Sequence, residues 1–197
     1  MWSNRECKVK MNRLLLIAVI ISATTLSARA QHVAVSANLA DIANLGTLSG
    51  GVSVAASRHI SVNAGVRYNP WQYGSQEKGY FQNRKREASI GMRYWPWNIF
   101  SSWWFGLRTQ VREYNSGGFF GRQITEEGIA VGAEAAFGYS YMINSHFNIE
   151  FGAGIWGGHK WYTRYDCPRC GAILSDDNAH GWFLIPGELI VSLVYIF

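Results

Sequence analysis

The sequence predicts an all-β chain: an eight-stranded antiparallel up-and-down barrel that crosses a membrane with its strands. Three observations carry this expectation. Apolar and polar residues alternate with period two along most of residues 31–197, and successive strand residues point to opposite faces. Short and long connections take turns between the alternating segments. In the last segment Leu189, Val191, Leu193, Tyr195 and Phe197 are all apolar on one parity, whereas Glu188 and Ser192 share the other with Ile190, Val194 and Ile196. Lipid outside and a polar lumen inside demand that asymmetry, and an aromatic final residue suits a closing barrel strand.

Residues 1–30 read as a secretory signal peptide. Met11-Asn12-Arg13 opens a basic region, Leu14 to Ile21 is an apolar stretch, and Ser27-Ala28-Arg29-Ala30 offers a small-residue cleavage site. The apolar stretch is too short for a membrane helix, and Met11 is a candidate true start. Cleavage after Ala30 would leave residues 31–197 as one barrel domain. The formal charge of +5 then misleads: residues 1–30 hold five of the 18 basic residues and one of the 13 acidic ones, leaving thirteen against twelve. Such a balance argues against a nucleic-acid partner.

The strands follow in order. Residues 33–40 place Val33, Val35, Ala37 and Leu39 on one face, and residues 47–57 place Leu48, Val52, Val54 and Ala56 together. Residues 60–69 set Ile60, Val62, Ala64 and Val66 against Ser61, Asn63 and Arg67. Residues 86–95, 103–114, 128–142 and 147–156 repeat the design, and the segment after Glu188 closes it. Connections near residues 58–59, 96–102 and 143–146 are short, while those after the third, fifth and seventh strands are longer and polar. Short periplasmic turns and longer external loops fit that pattern. Aromatic residues gather in two sets: Tyr94, Trp95, Trp97, Trp103, Trp104, Tyr139, Tyr141, Tyr195 and Phe197 at the inner ends, and Tyr68, Trp71, Tyr73, Trp156, Trp161 and Tyr162 at the outer ones. Both sets are expected as headgroup-level girdles.

The inward parity carries charge. Arg67, Glu87, Arg93, Arg108, Arg112, Glu134, Glu150 and Glu188 all fall on it, four arginines against four glutamates. A barrel of this size is just wide enough for side chains to fill, so an ion-paired plug is the expectation and passive transport is not. Nothing in the spacing selects two carboxylates as a working catalytic pair or a proton path.

Cys167-Pro168-Arg169-Cys170 lies in the longest predicted outer loop, residues 157–181. In an oxidising compartment a local Cys167–Cys170 disulfide is the default. A metal knuckle of Cys167 and Cys170 with His159 and His180 is the alternative, a weak signal without a second Cys pair. No cofactor is expected. Loop contacts for a partner are sought at Trp71 and Tyr73 within residues 71–86, and at Phe119 and Phe120 between glycines.

Tyr68-Asn69-Pro70-Trp71, Arg93-Tyr94-Trp95, Cys167-Pro168-Arg169-Cys170-Gly171 and the closing Ser192-Leu193-Val194-Tyr195-Ile196-Phe197 together resemble a family from Bacteroidetes-type bacteria, catalogued as domain of unknown function 3575. The likeness spans nearly all of residues 32–197. It implies a small outer-membrane barrel, often associated with gene clusters for surface fimbriae, and it carries no assigned catalytic residues. The functional expectation is a non-enzymatic barrel in the bacterial outer membrane, contacting lipid and displaying loops to fimbrial or other surface proteins. Two alternatives stand beside it. A lipid hydrolase or acyltransferase would need a nucleophile and base at the rim, for which Ser145-His146, or His159 or His180 with Ser175 and Asp176, are the available residues. A soluble periplasmic β-sandwich would share the composition but has no need of the loop alternation.

Overall fold

The structure, a computed structural model, describes residues 33–75, 79–118, 124–166, 173–174 and 179–197. Along the chain come β1 (Val33–Asn38), the short helix α1 (Leu39–Ala43), β2 (Leu48–Ala55), β3 (Ile60–Asn69), β4 (Gln72–Ser75), β5 (Gly79–Tyr94), β6 (Ser102–Gly117), β7 (Thr125–Met142), β8 (Phe147–Tyr165) and β9 (Ala179–Ile196). All strand pairs are antiparallel, and eight strands close a ring in the order β1-β2-β3-β5-β6-β7-β8-β9, with β9 pairing back to β1. The ninth strand, β4, pairs only with the far end of β5, from Gln72↔Gln82 to Ser75↔Gly79. It is an arm of the third hairpin and no part of the ring. The all-β antiparallel barrel expected from the alternation is therefore the fold.

Chain connections alternate as the pattern requires. Residues 56–59, 95–101 and 143–146 make short turns at the end where Val33 and Phe197 meet, Phe197 donating its backbone N–H to Val33 at 2.9 Å. The opposite end carries the longer hairpins and is here called the loop end. Strands there run further than alternation predicts: β5 starts at Gly79 instead of residue 86, β8 continues to Tyr165 and β9 begins at Ala179. The two ends of the expected 157–181 loop are thus a paired ribbon, from Gly157↔Leu184 to Tyr162↔Ala179. Both faces of a ribbon projecting past the ring can be polar, so the hydrogen-bond ladder continues where the apolar alternation has stopped.

The ring wall is uneven. β1 has 6 residues and β2 has 8, whereas β7 and β9 have 18 and β8 has 19. The first strand was expected to reach residue 40 but ends at Asn38, whose side chain diverts the chain into α1. Asn38 is 7% exposed, and its Oδ1 accepts from Ala40 N–H at 3.1 Å as the helix N-cap. The same side chain completes the sheet, donating from Nδ2 to the Leu189 carbonyl at 3.1 Å and accepting from Val191 N–H at 3.0 Å. Asn38→Ala removes a cap worth about 0.5–2 kcal/mol and strands buried backbone groups at about 1–3 kcal/mol each. A clear fall in the urea unfolding midpoint is expected; an unchanged midpoint would show that α1 and the β9 edge hold themselves.

One irregularity sets the upper part of β9. Ala153 pairs with Leu189 but Ile155 with Pro186, so Gly187 and Glu188 together stand opposite Gly154 alone. This β-bulge reverses parity along β9. Above it, Phe183 and Ile185 share the lumen face with Trp156, the direct partner of Ile185, while Trp182 and Leu184 stand 84% and 75% exposed outside. Around the ring the polarity is inverted relative to a water-soluble domain: Val66, Leu107 and Ile155 are 63%, 65% and 60% exposed, while Glu134 and Glu150 are each 1% exposed inside.

Candidate functional site

The lumen is filled in layers from the short-turn end upward. Trp95, Phe100 and Trp104 form an apolar floor with Ile190, Val194 and Ile196. The 95–101 turn folds into the barrel mouth to build it, with Phe100 held at φ +59°. Its carbonyl accepts from the Ser140 hydroxyl at 3.1 Å and from the buried Asn148 amide. Trp95 packs edge-on to Phe100 and donates from Nε1 to Ser61 Oγ at 3.0 Å. Glycine makes the space for Trp104, since a Cβ on Gly138 would stand 2.5 Å from its ring and one on Gly152 3.0 Å. Trp95 and Trp104, expected in the inner girdle, are 0% and 1% exposed and belong to this floor.

Above the floor the charges interlock. Arg93 lies with its guanidinium 4.2 Å from the Trp104 ring and donates to Glu150 at 2.8 Å. Arg67 is the hub: Nε bonds Asp41 at 2.7 Å, one terminal nitrogen bonds Glu87 at 2.7 Å, and the other meets Glu188. Arg108 bridges Glu134 and Glu188, each at 2.8 Å, and Arg112 donates to Glu87 at 2.7 Å. The eight charged residues expected on the inward parity thus meet one another in the lumen. Asp41 joins them from α1, 6% exposed, and was missed because it stands in a connection where strand parity has no meaning. Four arginines face five carboxylates in this network. Geometry of this kind satisfies lone pairs and N–H groups together, which is what allows charge to be buried at all.

A second aromatic seals the network from above. Arg112 stacks 4.0 Å over Trp156, which is 2% exposed and packs edge-on to Phe183 at 4.5 Å. In the amide orientation that satisfies both neighbours, Gln110 donates to Glu87 at 3.2 Å and accepts from Trp156 Nε1 at 3.1 Å. Trp156 was expected in the outer girdle; its parity, shared with Glu150, was the signal that places it inside. Tyr162 also turns inward, under Lys160 and Arg164.

Two of the spaces along this column border the buried network. One, of about 70 Å³, lies amid Arg67, Arg93 and Arg108 and has room for about two waters at about 30 Å³ each. The other, of about 280 Å³, opens at the loop end between Lys85, Arg112, Lys160, Trp156 and Phe183. Glu126 stands at its upper side, where burial pushes its carboxyl up but hydrogen bonds from Lys160, Tyr114 and Arg164 outweigh that and hold it below the ordinary glutamate value.

The remaining expected residues lie elsewhere. His159 and His180 are on paired strands of the β8–β9 ribbon, not in a loop, with ring centroids 5.4 Å apart. They share the outer face with Trp161 and Trp182, His159 standing edge-on to both. Cys167 and Cys170 lie outside the described residues, as do Phe119, Phe120, Ser175 and Asp176. Among the described residues no group of three or more His, Cys, Asp or Glu is arranged to hold a metal. Trp71 and Tyr73 fold back over the α1 turn, Trp71 Nε1 donating to the Gly46 carbonyl at 3.1 Å and the Tyr73 hydroxyl to the Leu45 carbonyl at 3.3 Å. Both rings stay about half exposed, 48% and 44%. Ser145-His146 sits in a short turn, where the His146 ring bonds the Ile196 carbonyl at 3.0 Å.

Neither the curated proteins nor the solved structures yield a match to this chain. A family model does, over residues 15–197, and its extent takes in every strand of the ring and every member of the buried network. The chain belongs to the family described as "Protein of unknown function (DUF3575)".

Proposed function

We propose that this chain is a non-enzymatic barrel of the bacterial outer membrane that displays its loop-end hairpins and supports the docking or assembly of a surface structure. The carrying observation is the inverted polarity: a closed ring with apolar residues exposed outside and arginine–carboxylate pairs buried inside. Water would penalise so broad an exposed apolar belt, whereas acyl chains favour it. Aromatic residues edge the belt, with Tyr94, Trp103 and Tyr141 52%, 46% and 60% exposed near the short-turn end and Tyr68 and Trp161 46% and 45% exposed near the loop end. Beyond them the outward residues turn charged, as at Arg86 and Glu113, 3.9 Å apart and well exposed. The filled lumen argues against a transport role, and the tall β7–β8–β9 ribbons offer paired, rigid elements for a partner.

Heat-modifiable gel mobility of the outer-membrane fraction tests the location. The unboiled protein is expected to run as a compact band that shifts on boiling; recovery in the soluble periplasm without a shift would overturn the reading. Deleting the gene then tests the role. Loss of surface appendages with an unchanged lipid mass spectrum is expected, and an altered lipid profile with intact appendages would favour a lipid-modifying enzyme instead.

A further inference from the structure

We propose that the 280 Å³ loop-end cavity is a binding site for a medium-chain carboxylate, with Lys85 as the residue that takes the anionic head. Lys85 is 9% exposed and faces the cavity, yet its amine has no hydrogen-bond or ion-pair partner among the described residues. Every other cation on the cavity wall is engaged: Arg112 with Glu87, Lys160 with Glu126. A buried ammonium with no carboxylate in contact is disfavoured, Asp41 and Glu87 acting on it only at longer range, so an anion delivered to this wall gains a contact that the described residues leave unfilled.

Ligand class follows from the rest of the lining. Trp156, Phe183 and Ile185 make one wall apolar, and the parity reversal at Gly187–Glu188 is what turns the last two inward. This wall stands where the ring is lowest, beside α1, because β1 stops pairing with β9 at Asn38↔Ser192. A small site with an apolar wall and one convergent charge is the ordinary form of a small-molecule pocket, whose usual range of about 300–1,000 Å³ places this cavity at the lower end. At about 30 Å³ per heavy atom, a water's share of volume, it holds about nine or ten, the size of octanoate. Glu126 at the rim and one ammonium without an ion pair among the described residues favour a monoanion over a phosphate dianion.

The site rests on the fold and is independent of the membrane proposal. Its test is saturable uptake of radiolabelled octanoate by the folded full chain, in lipid nanodiscs if it inserts and in buffer if it proves soluble, with the protein-free control subtracted. One equivalent is expected to bind, with octanol at least tenfold weaker because it lacks the charge and butyrate at least tenfold weaker because it cannot cover the aromatic wall. Lys85→Met is expected to weaken octanoate at least tenfold while leaving octanol unchanged. Octanol equal to octanoate in the unaltered protein would overturn the assignment, as would no saturable uptake; both readings stand even if the Lys85 variant fails to fold. A folded Lys85→Met protein that binds octanoate normally would overturn it equally.

Discussion

Arg67→Met is expected to destabilise the barrel by about 3–5 kcal/mol, the usual cost of removing one member of a buried ionic cluster. Its guanidinium is the common partner of Asp41, Glu87 and Glu188, and its side chain is 9% exposed. Methionine matches the volume but leaves three carboxylates facing one another without their shared cation. Glu87 keeps Arg112 and Glu188 keeps Arg108, so Asp41 and the α1 turn it anchors lose most. Urea unfolding checks the size of the effect. The added change Asp41→Asn should recover a substantial part of the loss, because it removes the carboxylate whose contacting cation among the described residues is Arg67. Arg86→Met is the contrast: its pair with Glu113 spans 3.9 Å between side chains 70% and 64% exposed, and such surface pairs are worth about 0–1 kcal/mol. Equal midpoints for the Arg67 and Arg86 variants would sink the view that the lumen network holds the fold together.

Trp104→Ala is expected to cost about 3–5 kcal/mol, typical for deleting a buried aromatic side chain. The ring is 1% exposed, lies 6.4 Å from Trp95, supports the Arg93 guanidinium and occupies the notch left by Gly138 and Gly152. Truncation therefore opens a void under the Arg93–Glu150 pair. Trp104→Phe should retain most of the stability, since the indole Nε1 is buried with no hydrogen-bond partner among the described residues and its loss strands nothing. Trp95→Phe should do worse, because it breaks the bond to Ser61 Oγ. The ordering of the two phenylalanine variants, read by urea midpoint, is the sharper check: if Trp104→Phe proves the more damaging, the floor depends on shape and not on satisfied polar groups.

These expectations rest on placements of unequal legibility. Arg67, Arg93 and Glu150 could be assigned inward from their neighbours alone, because period two leaves a strand residue only two faces. Trp95, Trp104 and Trp156 carried the same parity signal, but an aromatic near a strand end reads equally as a girdle residue, and only packing separates the two. Gly79 to Arg84 gave no alternation to follow, since β5 there stands beyond its ladder with β3. Asp41 and Asn38 act at a point where the chain leaves the sheet, and strand periodicity does not mark such a junction.

The period-two pattern and its turns determined by themselves that the chain is an antiparallel ring, where its short turns fall, and which charges face inward. They could do so because those properties are local: each follows from the alternation of neighbours along one strand. Tertiary structure decided the rest. It paired Arg67 with Asp41, Glu87 and Glu188 from three separate elements, turned Phe183 and Ile185 inward through one extra residue opposite Gly154, and set Lys85 beside an apolar wall with no ion-pair partner among the described residues. Those features depend on inter-strand register and closure, which bring together residues that no stretch of sequence holds side by side.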